Sequence, residues 1–264
     1  MKFHPNSLAK VHKQMAGVKA QSSVDFFTNY FRQELMGSQV LTAVTAHSVL
    51  LLNDEHDFFR LYFFTSDLVE LEQSLRDAQF PGPAVVGYLT RTADEKVAAA
   101  LQHSGFSSIA IYRRMTCDRL PTQRPNSELE YAAPADVDQI YDGLFRTFNK
   151  YTDHLPTRAR LVRYVENQWV IVNRQDGRIG GAVCFQLQGP RVNYKRVNYN
   201  YVYNLSRNAV DFLRLQNNFY GVMHQRGIHA GFLWINQIET RLAALHESMG
   251  WGFDSLKDYF YLRS

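Results

Sequence analysis

The sequence is poor in cysteine and has no long apolar run, and both features narrow the class of protein. Only two of its 264 residues, Cys117 and Cys184, are cysteines. Two isolated cysteines provide neither a disulfide framework nor the ligand spacing of a metal site, which favours a reducing compartment. No apolar stretch reaches the length of a membrane span, and the N-terminal residues lack the apolar core of a signal peptide. We therefore predict a cytoplasmic protein with no metal ion and no membrane partner.

Neither sign of charge is in large excess over the other. Lysine and arginine together number 29, against 25 aspartate and glutamate residues, which gives a net charge of +4. This mild excess suits an anionic partner, such as a phosphate-bearing cofactor, an acidic carrier protein or a nucleic acid. Lys195 and Arg196 form only a pair, and no basic run with interleaved aromatic residues stands out. Nucleic acid is therefore not expected as a partner.

The most informative stretch is the last one, residues 228–264. Ala230–Ile235 has the composition of a short apolar strand, and an amphipathic helix follows it. Gly250 supplies the stop that a left-handed helix end requires, and residues 259–262, three aromatic residues followed by a leucine, continue as a strand. The helix presents one apolar stripe at helical spacing, formed by Ile238, Leu242, Leu245 and Met249. The stretch predicts a strand, a helix, a Gly-aromatic turn and a second strand.

The same unit occurs earlier in the chain. A strand at Ala84–Leu89 and a helix at Ala93–Ser104 precede Gly105-Phe106, and Ser108–Met115 continues as a strand. When Gly105 is set against Gly250, the helices and strands of the two stretches fall in corresponding places. Such self-similarity indicates a duplicated unit, although two unrelated α/β segments can also resemble one another by chance.

A polar segment separates the two copies. Residues 118–128 contain two prolines and show no apolar periodicity, which is typical of a linker. The segment predicts two domains, residues 1–117 and residues 129–264.

Apolar periodicity predicts the other elements of the first domain. We expect one helix over residues 6–36, then one or two strands within Val40–Leu52. A buried strand at Phe58–Phe64 and an amphipathic helix from Leu68 follow.

The second domain repeats this alternation of strands and helices. A short strand at Leu129–Ala132, two helices and a hairpin turning at Gln175-Asp176-Gly177 come first. A central strand, Val197–Asn204, leads into a helix over Ser206–Gln225. Alternation along the central strand predicts a row of aromatic side chains on a single face, made of Tyr199, Tyr201 and Tyr203.

The order strand, helix, helix, strand, hairpin and strand, closed by a strand, a helix and a Gly-aromatic strand, resembles the GNAT (GCN5-related N-acetyltransferase) family. The second half resembles this family over nearly its whole length, and the first half mainly in its closing third. The resemblance implies an α/β fold (an α+β mixed sheet) with two GNAT-like domains in tandem, each a mixed, mostly antiparallel sheet flanked by helices. It also implies transfer of an acyl group from a pantetheine thioester to an amine of a small molecule or peptide, with acetyl-CoA or another acyl-CoA as donor.

In that family the loop between the central strand and the next helix carries Gln/Arg-x-x-Gly-x-Gly/Ala. Its backbone N–H groups bind the cofactor pyrophosphate at the helix N-terminus. The matching residues here are 204–209, with Arg207 in place of a glycine. The resemblance therefore implies a degraded cofactor-binding motif, formed by Leu205, Ser206, Arg207, Asn208 and Ala209. The corresponding loop of the first domain has no glycine, so we predict that this domain is non-catalytic.

The missing glycine leaves several interpretations open. CoA can still bind if the Arg207 side chain and the helix N-terminus hold its phosphates. Alternatively, the acyl group arrives on the phosphopantetheine arm of an acyl carrier protein, whose single phosphate needs no pyrophosphate loop. In a third interpretation catalysis is lost and the protein binds a ligand or has a structural role. Aminoacyl transfer of the Fem type, which also uses paired GNAT-like domains, is weaker because Fem proteins are usually longer.

Acyl transfer needs an acid that protonates the leaving thiolate. In the family this acid is usually a tyrosine four residues before the closing glycine, and this sequence has His246 there. Histidine can donate a proton near neutral pH, but Leu101 stands at the matching position of the first half, so His246 can equally be a packing residue. Tyr203, at the end of the central strand, is the alternative acid, and cross-strand packing is its simpler interpretation.

The predicted acceptor site lies in the loop between the first two helices of the second domain. Asp153-His154 falls in this loop, where GNAT proteins usually shape the pocket for the amine, and Tyr201 of the central strand completes the prediction. Asp153 also lies close enough to the helix-starting Pro156 to be a cap, and His154 can be an ordinary surface residue.

Overall fold

The computed structural model describes residues 1–21, 26–29, 39–55, 57–92, 94–125, 129–189, 196–206 and 208–264. These residues group into two compact units. Unit 1 contains Met1–Tyr112 together with Ser255–Ser264, and unit 2 contains Arg113–Asp254. Within the described ranges, no helix is long and apolar enough to cross a membrane.

Unit 1 alternates short strands with helices. In chain order its elements are β1 (His4–Ser7), α1 (Leu8–Gln21), β2 (Phe27–Thr28), β3 (Gln39–Val44), β4 (Ser48–Asp54), β5 (Phe59–Thr65), α2 (Leu68–Arg76), β6 (Ala84–Thr90), α3 (Glu95–His103) and β7 (Ser107–Cys117), which continues into unit 2. The strands lie in the order β1-β3-β4-β5-β6. Neighbours pair antiparallel except β5 and β6, which are parallel. β2 pairs antiparallel with β5.

Local sequence signals fix the ends of the helices in unit 1. Asp67 and Asp94 stand immediately before α2 and α3, and each side chain accepts hydrogen bonds from two backbone N–H groups of the first turn. Such N-caps pair donors that a helix otherwise leaves unsatisfied. After α3, Gly105 has a φ of +86°, a left-handed conformation that glycine adopts without steric cost. The chain therefore turns there into β7.

Unit 2 contains the remaining elements. In chain order they are β8 (Glu130–Tyr131), a 3₁₀ turn (Pro134–Asp136), α4 (Val137–Thr147), α5 (Arg158–Glu166), β9 (Val170–Gln175), β10 (Arg178–Gln188), β11 (Arg196–Asn204), α6 (Ala209–Gln225), β12 (Ala230–Asn236), α7 (Thr240–Ser248) and β13 (Gly252–Arg263), which ends in unit 1. The strands lie in the order β8-β9-β10-β11-β12. Neighbours pair antiparallel except β11 and β12, which are parallel.

Helices cover both faces of the sheet in unit 2. Successive residues of a strand point to opposite faces, so Val183 and Phe185 of β10 belong to one core and Ala182 and Cys184 to the other. The first core contains the buried side chains of α6, and we call this side the α6 face. The second contains those of α4 and α5, and we call it the α4–α5 face.

The predicted elements after residue 38 are confirmed in type and order. The helix predicted over residues 6–36 is wrong in extent, because α1 covers Leu8–Gln21 and Phe27–Thr28 form strand β2. Residues 22–25 and 30–36 of that prediction lie outside the described residues. The apolar spacing near position 27 is helical, but Phe27 and Thr28 pair with β5 instead. Strand formation depends on neighbours that are distant in sequence, which local spacing does not show.

The apolar stripe predicted for the last helix is only partly correct. α7 begins at Thr240, so Ile238 lies before the helix and is 76% exposed. Leu242 and Met249 pack against the α6-face core as predicted. The most buried side chain of α7 is that of His246.

The predicted domain boundaries, 1–117 and 129–264 with a linker at 118–128, stay a prediction. The compact units divide the chain elsewhere, inside β7 and inside β13. Residues 255–264 group with unit 1 because Lys257–Arg263 pair antiparallel with β6. Leu120 of the predicted linker is bonded within unit 2, since its N–H donates to the His229 carbonyl at 2.7 Å.

A glycine allows α4 to approach the sheet closely. A Cβ atom added to Gly143 would lie 2.5 Å from Cζ of Tyr203 and 2.6 Å from its hydroxyl oxygen. We expect Gly143→Ala to lower the free energy of unfolding by about 1–3 kcal/mol through overpacking, as measured by urea denaturation.

Gly17→Ala in α1 is the matched control for this change. Nothing lies within 4 Å of its added Cβ atom, so the higher helix propensity of alanine should raise stability by about 0.5–1 kcal/mol. Equal destabilisation by the two changes would contradict the close packing of α4.

Candidate functional site

The parallel strands β11 and β12 pair along only part of their length. Pairing begins at Arg196–Ala230 and ends at Tyr199–Leu233, although β11 continues to Asn204. Beyond Tyr199 the edge of β11 that faces β12 resembles the edge of a sheet. Buried backbone groups require partners, and an extended ligand that carries amide groups can supply them as an added strand. This β11–β12 separation is the candidate site.

A β-bulge lies where the separation begins. Cys184 of β10 pairs with Tyr201, whereas the next residue, Phe185, pairs with Tyr199. Asn200 is therefore an extra residue on β11, which bends a strand and increases its twist. The bulge coincides with the end of the pairing between β11 and β12.

The bulge makes the predicted single row of tyrosines wrong. An extra residue interrupts the alternation, so the side chains that follow it change face. Tyr199 lies in the α6-face core, whereas Tyr201 and Tyr203 lie in the α4–α5-face core. The Asn200 side chain also reaches the latter face, where it donates to the Tyr164 hydroxyl of α5 at 3.0 Å.

Tyr199 belongs to an aromatic cluster on the α6 face. Its ring centroid lies 4.4 Å from that of Phe219 on α6, 6.0 Å from that of His246 and 6.5 Å from that of Trp251. The Trp251 indole N–H donates to the Tyr220 hydroxyl at 2.9 Å. Tyr199 is absent from the predicted site residues because nothing in the sequence marks the bulge that separates it from the other tyrosines.

His246 is almost completely buried in this cluster. It is 1% exposed, and burial lowers the pKa of its imidazole to about 4, because the charged ring would lose its hydration. None of the described residues hydrogen-bonds its Nδ1 atom. Near pH 7 the ring is therefore neutral and packs against Tyr199 and Trp251. The catalytic role of His246 stays a prediction.

Tyr203 lies on the opposite face of the sheet from His246. Its ring packs against Gly143 of α4, and its hydroxyl has no hydrogen-bond partner among the described residues. Burial raises the pKa of its phenol well above the ordinary value. The structure therefore does not bring the two predicted acids together, and the role of Tyr203 also stays a prediction.

Most of the predicted cofactor-binding residues are described, and they surround the N-terminus of α6. Leu205 is exposed, and so is Ala209, the first residue of the helix. Asn208 caps the helix, because its side-chain oxygen accepts a hydrogen bond from the Val210 N–H at 2.9 Å. Arg207 lies outside the described residues. One N–H group at this helix end is thus already paired.

A carboxyl group lies in the first turn of the same helix. Asp211 is 8% exposed, and its Oδ2 atom accepts hydrogen bonds from Gln175 Nε2 at 2.7 Å and from the Ser206 hydroxyl at 2.9 Å. A carboxylate is favourable at a helix N-terminus, but it repels a phosphate group there. Asp211 is missing from the predicted site residues, although an acidic residue three positions after Asn208 resembles the spacing of a capping box.

The predicted acceptor residues lie together on the α4–α5 face. The Tyr201 hydroxyl donates to the His154 carbonyl at 2.6 Å, and the Asp153 carboxylate accepts from the Asn149 N–H at 2.7 Å. Thr157, rather than Asp153, caps α5. These contacts hold the loop between α4 and α5 against β11, and a role in binding the amine stays a prediction.

Neither cysteine is placed for covalent chemistry. Cys117 and Cys184 are both free and buried, and burial raises the pKa of the Cys184 thiol to about 12. A thiolate is therefore scarce at neutral pH. Among the described residues, no group of three or more His, Cys, Asp or Glu side chains is arranged to hold a metal ion.

No family model and no curated protein matches this sequence. Solved structures of GNAT proteins match its fold. A GCN5-related N-acetyltransferase from Sphaerobacter thermophilus gives a TM-score of 0.56 at 12% identity and covers 99% of this chain and 95% of its own. A GNAT-family acetyltransferase from Colwellia psychrerythraea gives 0.56 at 9% identity over 100% of both chains.

A tandem GNAT protein from the clavulanic acid biosynthesis pathway also matches. Its TM-score is 0.54 at 10% identity, and the match covers 98% of this chain and 97% of that protein. Identities this low show the fold alone. The chain has the GNAT fold, and the predicted α/β class with its mixed sheet is confirmed.

Burial of a neutral histidine makes stability depend on pH. The pKa of His246 falls from 6.5 to about 4 on folding, so between these values the unfolded chain binds a proton that the native protein does not. The stabilisation is complete above pH 6.5 and is lost as the pH falls towards 4. Between about pH 7 and pH 5 the loss amounts to about 2 kcal/mol.

Phenylalanine at position 246 has no proton to bind. Between about pH 7 and pH 5, the free energy of unfolding of His246→Phe should therefore fall by about 2 kcal/mol less than that of the unmodified protein. Urea titrations at a series of pH values measure the difference. His224→Phe, at an exposed position of α6, is the control and should follow the profile of the unmodified protein. Parallel profiles for all three proteins would contradict the burial of a neutral His246.

Proposed function

We propose that this protein transfers an acyl group from a pantetheine thioester to an amine of a small molecule or peptide, and that unit 2 holds the donor. The observation that carries the proposal is the β11–β12 separation, which begins after Tyr199 and Leu233 beside the bulge at Asn200. The GNAT fold supports acyl transfer in general, because the proteins from Sphaerobacter and Colwellia that share it are acetyltransferases.

Backbone groups of β11 provide much of what this chemistry needs. A pantetheine arm is an extended chain with amide groups, and a strand edge that no neighbouring strand covers can bind it as a sheet binds an added strand. A backbone N–H of that edge is suited to polarise the carbonyl at which the amine attacks. The amine must lose a proton and the leaving sulfur must gain one.

The N-terminus of α6 favours a donor that carries little phosphate. The Asn208 cap already pairs the Val210 N–H, and the Asp211 carboxyl group lies in the first turn of the helix, where it repels phosphate. The phosphopantetheine arm of an acyl carrier protein brings a single phosphate, and the net charge of +4 suits an acidic carrier. We therefore place an acyl carrier protein ahead of acetyl-CoA or another acyl-CoA as the donor.

We place the amine acceptor on the α4–α5 face. Asp153, His154 and Tyr201 lie together there, and a carboxylate favours the binding of an ammonium group. We also propose a cytoplasmic location, because both cysteines are free thiols, as is usual in a reducing compartment.

A catalytically silent binding protein is the second candidate function. The burial of both predicted acids favours it, since His246 is 1% and Tyr203 2% exposed. Neither side chain is placed to exchange a proton with solvent. In this case unit 2 would bind an amide-bearing or thioester ligand without turning it over.

Calorimetric titration with acetyl-CoA, a longer acyl-CoA and an acylated phosphopantetheinyl carrier protein tests the proposal. We expect the carrier to bind most tightly, because its single phosphate meets the least opposition at α6. Thiol release in the presence of a panel of amines then separates an enzyme from a silent binder. Binding without thiol release would favour the silent protein, and the absence of binding by all three donors would overturn the proposal.

Removal of the carboxyl group at α6 tests its effect on phosphate. Asp211→Asn keeps an oxygen for Gln175 and Ser206 but removes the negative charge at the helix N-terminus. We expect acetyl-CoA to bind about fivefold more tightly, which corresponds to about 1 kcal/mol for a charge in the first turn. Calorimetry of both proteins measures the change.

Asp142→Asn, at an exposed position of α4, controls for the loss of one negative charge. Because exposed charges are screened by salt, this change should leave the affinity within about twofold. An affinity for acetyl-CoA that is unchanged in Asp211→Asn would show that the carboxyl group does not oppose phosphate.

A further inference from the structure

Unit 1 also contains two parallel strands that separate. β5 and β6 pair only at Phe59–Ala84 and Arg60–Val85, although both strands continue further. The backbone beyond this point has the same need for partners as the edge of β11. In unit 1 a side chain of the same unit meets this need.

That side chain is Asn29. Its Nδ2 group donates to the carbonyl of Leu61 on β5 and to the carbonyl of Gly87 on β6, both at 3.0 Å. Its Oδ1 atom accepts a hydrogen bond from the Phe63 N–H at 2.7 Å. Asn29 is 5% exposed. One buried carboxamide thus satisfies three main-chain groups on two strands, each of which would be costly to leave unpaired.

The preceding residues hold Asn29 in this position. Phe27–Thr28 form β2, which pairs antiparallel with the end of β5. The Thr28 hydroxyl also donates to the Phe63 carbonyl at 2.8 Å. The segment therefore lies along β5 as an added strand, and the Asn29 side chain bridges β5 and β6.

The three contacts define the ligand chemistry that this position accepts. Two carbonyl groups need two N–H donors, and one backbone N–H needs an acceptor. A primary carboxamide offers all of these on one planar group. A secondary amide, such as those of a pantetheine arm, has a single N–H and would leave one carbonyl unpaired.

We infer that the β5–β6 separation is a binding site for a primary carboxamide, which the chain fills with its own Asn29. Unit 1 therefore takes no acyl donor, and a small primary amide enters this site only when the Asn29 side chain is removed. The inference concerns unit 1 alone and does not rest on the function proposed for unit 2.

Rescue of Asn29→Ala by acetamide tests the inference. The truncation lowers the thermal midpoint, because three buried main-chain groups lose their partner. Acetamide raises the midpoint again with a saturable dose dependence, as expected of a ligand that binds only the native state. N,N-dimethylacetamide, which has the carbonyl but no N–H group, does not produce this rescue.

Thr28→Val is the matched control variant. It weakens the same segment by removing the hydroxyl that donates to the Phe63 carbonyl, but it leaves the Asn29 carboxamide in place. Acetamide therefore does not rescue it. Equal responses of Asn29→Ala, Thr28→Val and the unmodified protein to acetamide would overturn the inference, as would the absence of a saturable rescue.

A measurement on the unmodified protein covers the case in which Asn29→Ala does not fold. The Phe63 N–H bonds the buried Asn29 side chain, so its hydrogen exchange should be as slow as that of the paired amides in the centre of β4. Fast exchange at Phe63 would show that Asn29 does not fill the site and would overturn the inference.

Discussion

Where two parallel strands diverge, the hydrogen-bonded ladder between them ends, and the main-chain groups beyond that point need partners other than the neighbouring strand. This constraint shapes both units. A buried N–H or C=O group must be hydrogen-bonded, so each strand separation needs an occupant. In unit 1 the occupant is the chain itself, because Asn29 bonds both β5 and β6. In unit 2 the edge of β11 beyond Tyr199 is the place where we propose that the amide groups of an acyl donor bind. Because of this difference, we propose that unit 2 binds the acyl donor and that unit 1 does not.

The bulge at Asn200 is the second feature on which the account of unit 2 depends. It places Tyr199 on the α6 face and Tyr201 on the α4–α5 face, so two successive tyrosines of one strand belong to different cores. The first joins the cluster of His246 and Trp251. The second fixes the loop that holds the predicted acceptor residues, through the His154 carbonyl. One extra residue thus determines which side chains lie on each side of the proposed donor site.

Periodicity in the sequence was enough to predict most of the helices and strands, because local spacing reflects which face of an element is buried. The bulge was not predictable, since an extra residue leaves no mark in composition. Asn29 was missed for a related reason: its partners Leu61 and Gly87 lie 32 and 58 residues away. Asp211 was predictable from the sequence, because its spacing of three residues from the cap Asn208 is a local signal.

Backbone amide hydrogen exchange with and without a bound acyl thioester tests the central claim most directly. If the edge of β11 binds the amide groups of the donor, exchange should slow within residues 200–204. Exchange over Leu61–Thr65 of β5 should not change, because Asn29 already bonds that strand. Protection that appears in β5, or a bound thioester that leaves β11 unprotected, would contradict the account.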